Sequence, residues 1–128
     1  MPARTVNISI KRPPREVYEF LVNPANLPTW AHGLATSATK SSEGWVVQTA
    51  DGPRKIAFVR PNDLGVADHY VTVKPGQEVF VPIRVLRNGT GSEVVFTLFQ
   101  LPGMSAEKFA EDARLVESDL RTLKAVLE

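Results

Sequence analysis

SAEKFAEDARLVESDLRTLKAVL, residues 105–127, decides how the rest of the chain is read. Phe109, Ala113, Val116, Leu120, Leu123 and Leu127 follow one another at spacings of four and three. That period draws one apolar stripe down a helix of roughly 35 Å. The charged residues Glu107, Lys108, Glu111, Asp112, Arg114, Glu117, Asp119, Arg121 and Lys124 lie off the stripe. Lys108/Asp112 and Glu117/Arg121 are spaced for i,i+4 pairing. Ser105, just after the breaker Leu101-Pro102-Gly103, is the expected N-cap, and Glu107 suits the positive end of the helix dipole. If the five large stripe residues each gain about 1.5–3 kcal/mol on burial, the face contributes on the order of 10 kcal/mol, comparable to the net stability of a domain. Such a face needs a cover, and the residues before it read as β-structure: the chain is a sheet built to hold this helix.

Upstream, Val6, Ile8 and Ile10 alternate with Asn7 and Ser9, the period of a strand with one buried face. Pro13-Pro14 ends it, and Arg15 to Val22 sets Val17, Phe20 and Leu21 on one side of a short helix that Asn23-Pro24 terminates. A second short helical piece is expected over Ala25 to Trp30, around Pro28. From Leu34 onward the turn residues Ser42-Glu43-Gly44, Asp51-Gly52-Pro53, Pro61-Asn62-Asp63-Leu64-Gly65, Lys74-Pro75-Gly76 and Asn88-Gly89-Thr90-Gly91 mark out six further strands. Asn88-Gly89 reads as a type I′ hairpin turn. Strand, two short helices, a meander and a closing helix make an α+β pattern. A sheet of about seven strands twists enough to curl around the helix, so a cavity between them is expected. The alternative is a solid core filled by Phe58, Phe80, Phe96, Phe99 and Phe109.

Composition bounds the function. With 128 residues, 43% of them hydrophobic and 23% charged, the chain reads as one domain over 1–128. It has neither an apolar run of membrane-spanning length nor a secretory leader, so a cytoplasmic protein that does not engage membranes is expected, and the sequons at Asn7 and Asn88 read as coincidence. The absence of cysteine excludes disulfides, thiolate catalysis and cysteine zinc sites. A formal charge of +1 gives no drive toward nucleic acid. The basic group Lys11, Arg12 and Arg15 reads as a solvated turn, with phosphate binding as the alternative. No metal is expected: the two histidines are His32 and His69, and Asp68 and His69, adjacent on a strand, face opposite ways. Without a P-loop, a Gly-x-Gly-x-x-Gly loop or a Gly-x-Ser-x-Gly elbow, no cofactor is expected either.

The run Ile8-x-Ile10-x-Arg12-Pro13-Pro14-x-x-Val17-Tyr18-x-Phe20-Leu21-x-Asn23-Pro24-x-Asn26-Leu27-Pro28-x-Trp30 resembles the opening of bacterial START-like (SRPBCC) proteins. That superfamily includes polyketide cyclase/dehydrase-like proteins, aromatase/cyclases and birch-pollen-allergen-like ligand carriers. Phe109 followed by Asp119-Leu120-x-x-Leu123-Lys124-x-x-Leu127-Glu128 resembles its closing helix. The resemblance implies a helix-grip fold: a curved antiparallel sheet wrapped around the long C-terminal helix, two short helices after strand one, and a hydrophobic cavity. It carries over no catalytic motif, and the superfamily holds carriers, enzymes and chaperone activators alike.

The polar groups among apolar strands are Asp68, His69, Tyr70, Arg84 and Thr97. Strand parity puts His69 with Ala67, Val71 and Val73, and Asp68 and Tyr70 on the other face. His69 is either a core histidine bonded to a backbone carbonyl or a group that meets a ligand. Arg84 is either a ligand-carboxylate clamp or a structural ion-pair partner, and Trp30 either plugs the end of the sheet or lines a pocket rim. The ligand-binding candidates are Trp30, Phe58, His69, Arg84, Phe96, Phe109, Ala113 and Val116, for a small, mostly apolar molecule. The alternatives are a cyclase/dehydratase-like enzyme with His69 as its catalytic acid–base, and an interaction module that forms a homodimer through its sheet, since strands such as Val79 to Leu86 are apolar at both parities.

Overall fold

The computed structural model describes residues Met1–Glu128. Its elements are β1 (Ala3–Ile10), α1 (Pro14–Leu21), a 3-10 turn (Pro24–Asn26), α2 (Leu27–Trp30), β2 (Ser37–Ser41), β3 (Gly44–Thr49), β4 (Gly52–Phe58), β5 (His69–Lys74), β6 (Gln77–Val81), β7 (Ile83–Asn88), β8 (Gly91–Phe99) and α3 (Ala106–Leu127). The strands form two antiparallel ladders, β1-β8-β7 and β2-β3-β4-β5-β6. None of the helices is long and apolar enough to cross a membrane.

Eight strands stand where about seven were expected, because the run Val79 to Leu86 is two strands rather than one. Pro82, which has no N–H to donate to a ladder, separates them. Before it, β6 pairs with β5; after it, β7 pairs with β8. The two ladders are joined at this corner. Val85 N–H donates to Gly65 O and Ala67 N–H to Ile83 O, so the segment entering β5 runs first along β7 and then along β6. Gly65 has φ +75°, and a Cβ there would lie 2.2 Å from Val85 O, so only glycine fits. The corner is pinned by Asp68, whose buried carboxylate accepts from Ile83 N–H at 3.0 Å and from Arg84 Nε and Nη2 at 2.9 and 2.8 Å. Along the run Ile83 and Val85 are buried, while Phe80, Arg84 and Leu86 are exposed on the other face.

The β7–β8 hairpin differs from the type I′ turn expected at Asn88-Gly89. Asn88 pairs with Gly91, so the turn residues are Gly89 and Thr90. Only Gly89 has positive φ, +61°, which is the type II′ pattern.

The closing helix starts where expected, with Ser105 Oγ accepting from Lys108 N–H at 3.0 Å. Ala113, Leu120 and Leu123 are fully buried, and Phe109, Val116 and Leu127 half-buried, so the stripe faces the core. The helix packs on β1, β8 and α2. Lys108 pairs with Asp112 at 2.8 Å, but Glu117 reaches Arg4 on β1 at 3.1 Å instead of Arg121. At its C-terminal end Arg12 Nε donates to Leu127 O and Lys124 Nζ to Ser9 O, both at 2.7 Å, and Lys11 N–H to Glu128 Oε2 at 2.8 Å. Arg15 pairs with Glu19 and Asp63. Of the basic group of the first corner, Arg12 and Arg15 thus have side-chain partners within the fold, whereas Lys11 contributes its backbone amide.

Candidate functional site

Because α3 rests on the three-stranded ladder, a wedge stays open between it and β5–β6. It forms a cavity of about 270 Å³ lined largely by apolar side chains. Val71, Val79 and Val81 supply the sheet wall, Phe96 and Leu98 come from β8, and Leu115 and Val116 from α3. Leu27, Trp30 and Leu34 close one end, with Leu101 and Met104 at the approach to α3.

His69 opens β5 on the inward parity, 3% exposed, with Phe58 tilted against its ring at 4.6 Å between centroids. Nδ1 lies 3.3 Å from Ala67 O. A carbonyl only accepts, so the proton sits on Nδ1 and Nε2 carries the free lone pair. Burial disfavours the imidazolium and lowers the pKa from 6.5 to about 4, with the Ala67 carbonyl and the Asp68 charge opposing it. The ring is therefore neutral over the physiological range. Trp30, at the end of α2, is 2% exposed, and its Nε1–H is buried without an acceptor.

Two acids edge the α3 wall. Asp112 is bound to Lys108, and Asp119 accepts from Gly33 N–H at 3.1 Å. Burial raises the Asp119 pKa, opposed by the Gly33 amide and by His32. Gly33 permits this approach, since a Cβ there would sit 3.0 Å from Asp119 Oδ2 and 3.2 Å from Leu115 Cβ. No lysine or arginine lines the cavity.

Of the expected ligand-binding residues, Trp30, His69, Phe96 and Val116 meet at the cavity and Phe58, Arg84, Phe109 and Ala113 do not. Phe58 lies behind His69. Arg84 is on the outer face, bound to Asp68, and is the structural ion-pair partner weighed against the carboxylate clamp. Phe109 and Ala113 lie on the core side of the α3 stripe, whereas the cavity takes Val116 of that stripe and its neighbours Asp112, Leu115 and Asp119, the four spaced i, i+3, i+4, i+7. Leu115, off the stripe yet apolar, was the one sequence signal of that edge. Of the polar strand residues near His69, Tyr70 lies out against Phe80, and Thr97 Oγ1 pairs with Thr5 Oγ1 at 2.8 Å. No group of three or more His, Cys, Asp or Glu side chains converges to hold a metal.

A sheet curled against one long helix, with a cavity between them, is the helix-grip fold of START-like (SRPBCC) proteins, and this chain has it. No protein-family model and no curated protein matches the sequence. Solved structures do match. XoxI from Bacillus cereus superposes with a TM-score of 0.76 at 16% identity, over 99% of this chain and 96% of that one. The Aha1 dimer from Colwellia psychrerythraea gives 0.66 at 19% identity, over 100% and 97%. DynU16, from the dynemicin biosynthetic locus, gives 0.71 at 16% identity over 98% of this chain but 46% of that one, so the chain spans about half its length. Identities this low carry the fold and nothing of ligand or activity.

Proposed function

We propose that the protein binds a small, mostly apolar molecule in the cavity between α3 and strands β5–β6. The observation that carries this reading is the cavity itself: about 270 Å³ of space whose walls are valines, leucines and aromatic rings. An apolar void of that size gains free energy when a hydrocarbon surface replaces water in it. General acid–base chemistry at His69 has less support. With a pKa of about 4 the imidazole is a weak base near neutrality, and its Nδ1 faces a carbonyl rather than a carboxylate.

The test is titration with a neutral apolar fluorophore, N-phenyl-1-naphthylamine, against the protein and its Val116→Trp variant. Saturable binding that the variant loses while keeping its thermal transition supports the reading. Binding unaffected by the indole, or no saturable binding, contradicts it. Native mass spectrometry of the purified protein would report a co-purifying small molecule directly.

A further inference from the structure

The cavity meets its strands in two different ways. From β5 it touches alternate residues, His69 and Val71, as a space lying on one face of a sheet does. From β6 it touches Val79, Phe80 and Val81 in succession, and from β8 Phe96, Thr97, Leu98 and Phe99. Successive strand residues point to opposite faces, so a space that meets them all lies against the edges of these strands. The two edges face one another without a ladder. β6 pairs with β5 alone, and β8 pairs with β7 only as far as Phe96. The last link is Thr97 N–H to Pro82 O at 3.2 Å, and Pro82 has no N–H to return. Continued, the β7–β8 register would set Phe80 opposite Phe99; instead the strands part.

The geometry points to a slit between β6 and β8 that opens the cavity onto the outer face of the sheet, and to a ligand that uses it: an elongated amphiphile with its apolar end inside and its polar end emerging between Phe80 and Phe99. This rests on the carrier reading above and specifies its ligand. The space of about 270 Å³ falls just short of the roughly 300–1,000 Å³ of sites that enclose a drug-sized molecule, so a longer ligand leaves one end outside. The interior suits the apolar end only. No lysine or arginine lines it, Asp112 is taken by Lys108 and Asp119 by the Gly33 amide, and a polar head there would be desolvated without a partner. At the slit the head keeps its water, and aromatic rings continue the apolar surface: Phe80 is 39% exposed and packs on Tyr70 with centroids 5.3 Å apart. The α2 end offers no such exit, since Leu27 and Trp30 are buried there.

The probe is 4-decanoyloxy-TEMPO, an alkyl chain on a bulky, uncharged nitroxide head, titrated into the wild-type protein. It should displace N-phenyl-1-naphthylamine, and paramagnetic broadening of backbone amides then locates the head without any variant. The expected result is a severalfold loss of signal at Tyr70, Phe80 and Phe99, with Gly33 and Leu34 at the far end of the cavity much less affected. Reducing the nitroxide with ascorbate should restore the signals. A second readout uses Phe80→Ala, which removes an exposed ring at the slit and should speed release of bound N-phenyl-1-naphthylamine severalfold in stopped flow. Broadening centred on Gly33 and Leu34 or spread evenly over the surface, or a release rate unchanged in the variant, overturns the slit and leaves the carrier reading standing. Failure of the nitroxide probe to displace a fluorophore that does bind overturns it as well, because the ligand would then be compact. If neither molecule binds, both readings fall.

Discussion

Asp68→Ala should unfasten the corner where the two ladders meet, and the cost can be worked from its three hydrogen bonds. The Asp68 side chain is 7% exposed, that of Arg84 48%. Truncating Asp68 leaves the buried Ile83 N–H without its acceptor, worth about 1–3 kcal/mol. The half-exposed guanidinium rehydrates, so the lost ion pair adds only about 0.5–1 kcal/mol more. The expected total is about 3 kcal/mol. Arg84→Ala leaves a buried carboxylate with one amide donor, a cost of about 2 kcal/mol once discounted for the water that can reach it. In the double variant the carboxylate is already gone, so losing the arginine costs little. The double should therefore lie near the Asp68→Ala single, with a coupling energy of about 1–2 kcal/mol. Asp68→Asn, which keeps an acceptor for Ile83, should fall well short of the alanine change. Urea denaturation of the wild type and the variants supplies all the numbers. Additivity of the two alanine changes within about 0.5 kcal/mol would refute the idea that this pair holds the corner.

Leu120→Ala should cost about 2–5 kcal/mol by chemical denaturation, because the side chain is fully buried between α3 and the sheet; Glu117→Ala, losing only an exposed pair with Arg4, should stay within about 0.5 kcal/mol. The His69 ring should titrate near 4 by NMR. Between that value and the unfolded 6.5 the unfolded chain binds the extra proton, so stability is full above about pH 6.5 and falls as the pH drops toward 4, by on the order of 3 kcal/mol in all. His69→Gln should remove that slope, and a ring titrating at its ordinary value would refute the burial account. Gly33→Ala should lower stability by about 1–3 kcal/mol by pushing the loop off Asp119 and Leu115, seen as a lowered melting temperature.

Elements were legible where one local period ruled. The stripe of α3, the alternation of β1 and the inward parity of His69 each follow from spacing alone. What spacing could not show was how the elements lie across one another. Val79 to Leu86 reads as one apolar run, and Pro82 was available as a break, but only the pairing of its two halves with β5 and β8 makes it a corner. Likewise the sequence offers α3 a single best face, whereas the structure uses two. The stripe goes mainly to β1 and β8, and the edge from Asp112 to Asp119, which shares Val116 with it, goes to the cavity. An edge mixing leucine, valine and two aspartates resembles an ordinary solvated flank until the opposite wall is known. Arg84 was ambiguous for the same reason, since its partner Asp68 lies across a turn of chain whose geometry no local pattern encodes.

The fastenings of α3 are unevenly distributed, and this sets how the helix can move. Arg12, Lys11 and Lys124 bind its final turn to the end of β1, and Arg4 and Gly33 hold it midway. Its first turns, next to Leu101 and Met104 at the cavity, are held by the Ser105 cap and the Lys108–Asp112 pair, both local. Mechanically the helix is a beam clamped at one end, with its compliance concentrated at the other. Thermal bending therefore has its largest amplitude beside the cavity, and amide hydrogen exchange along α3 should slow steadily from the first turn toward Leu123.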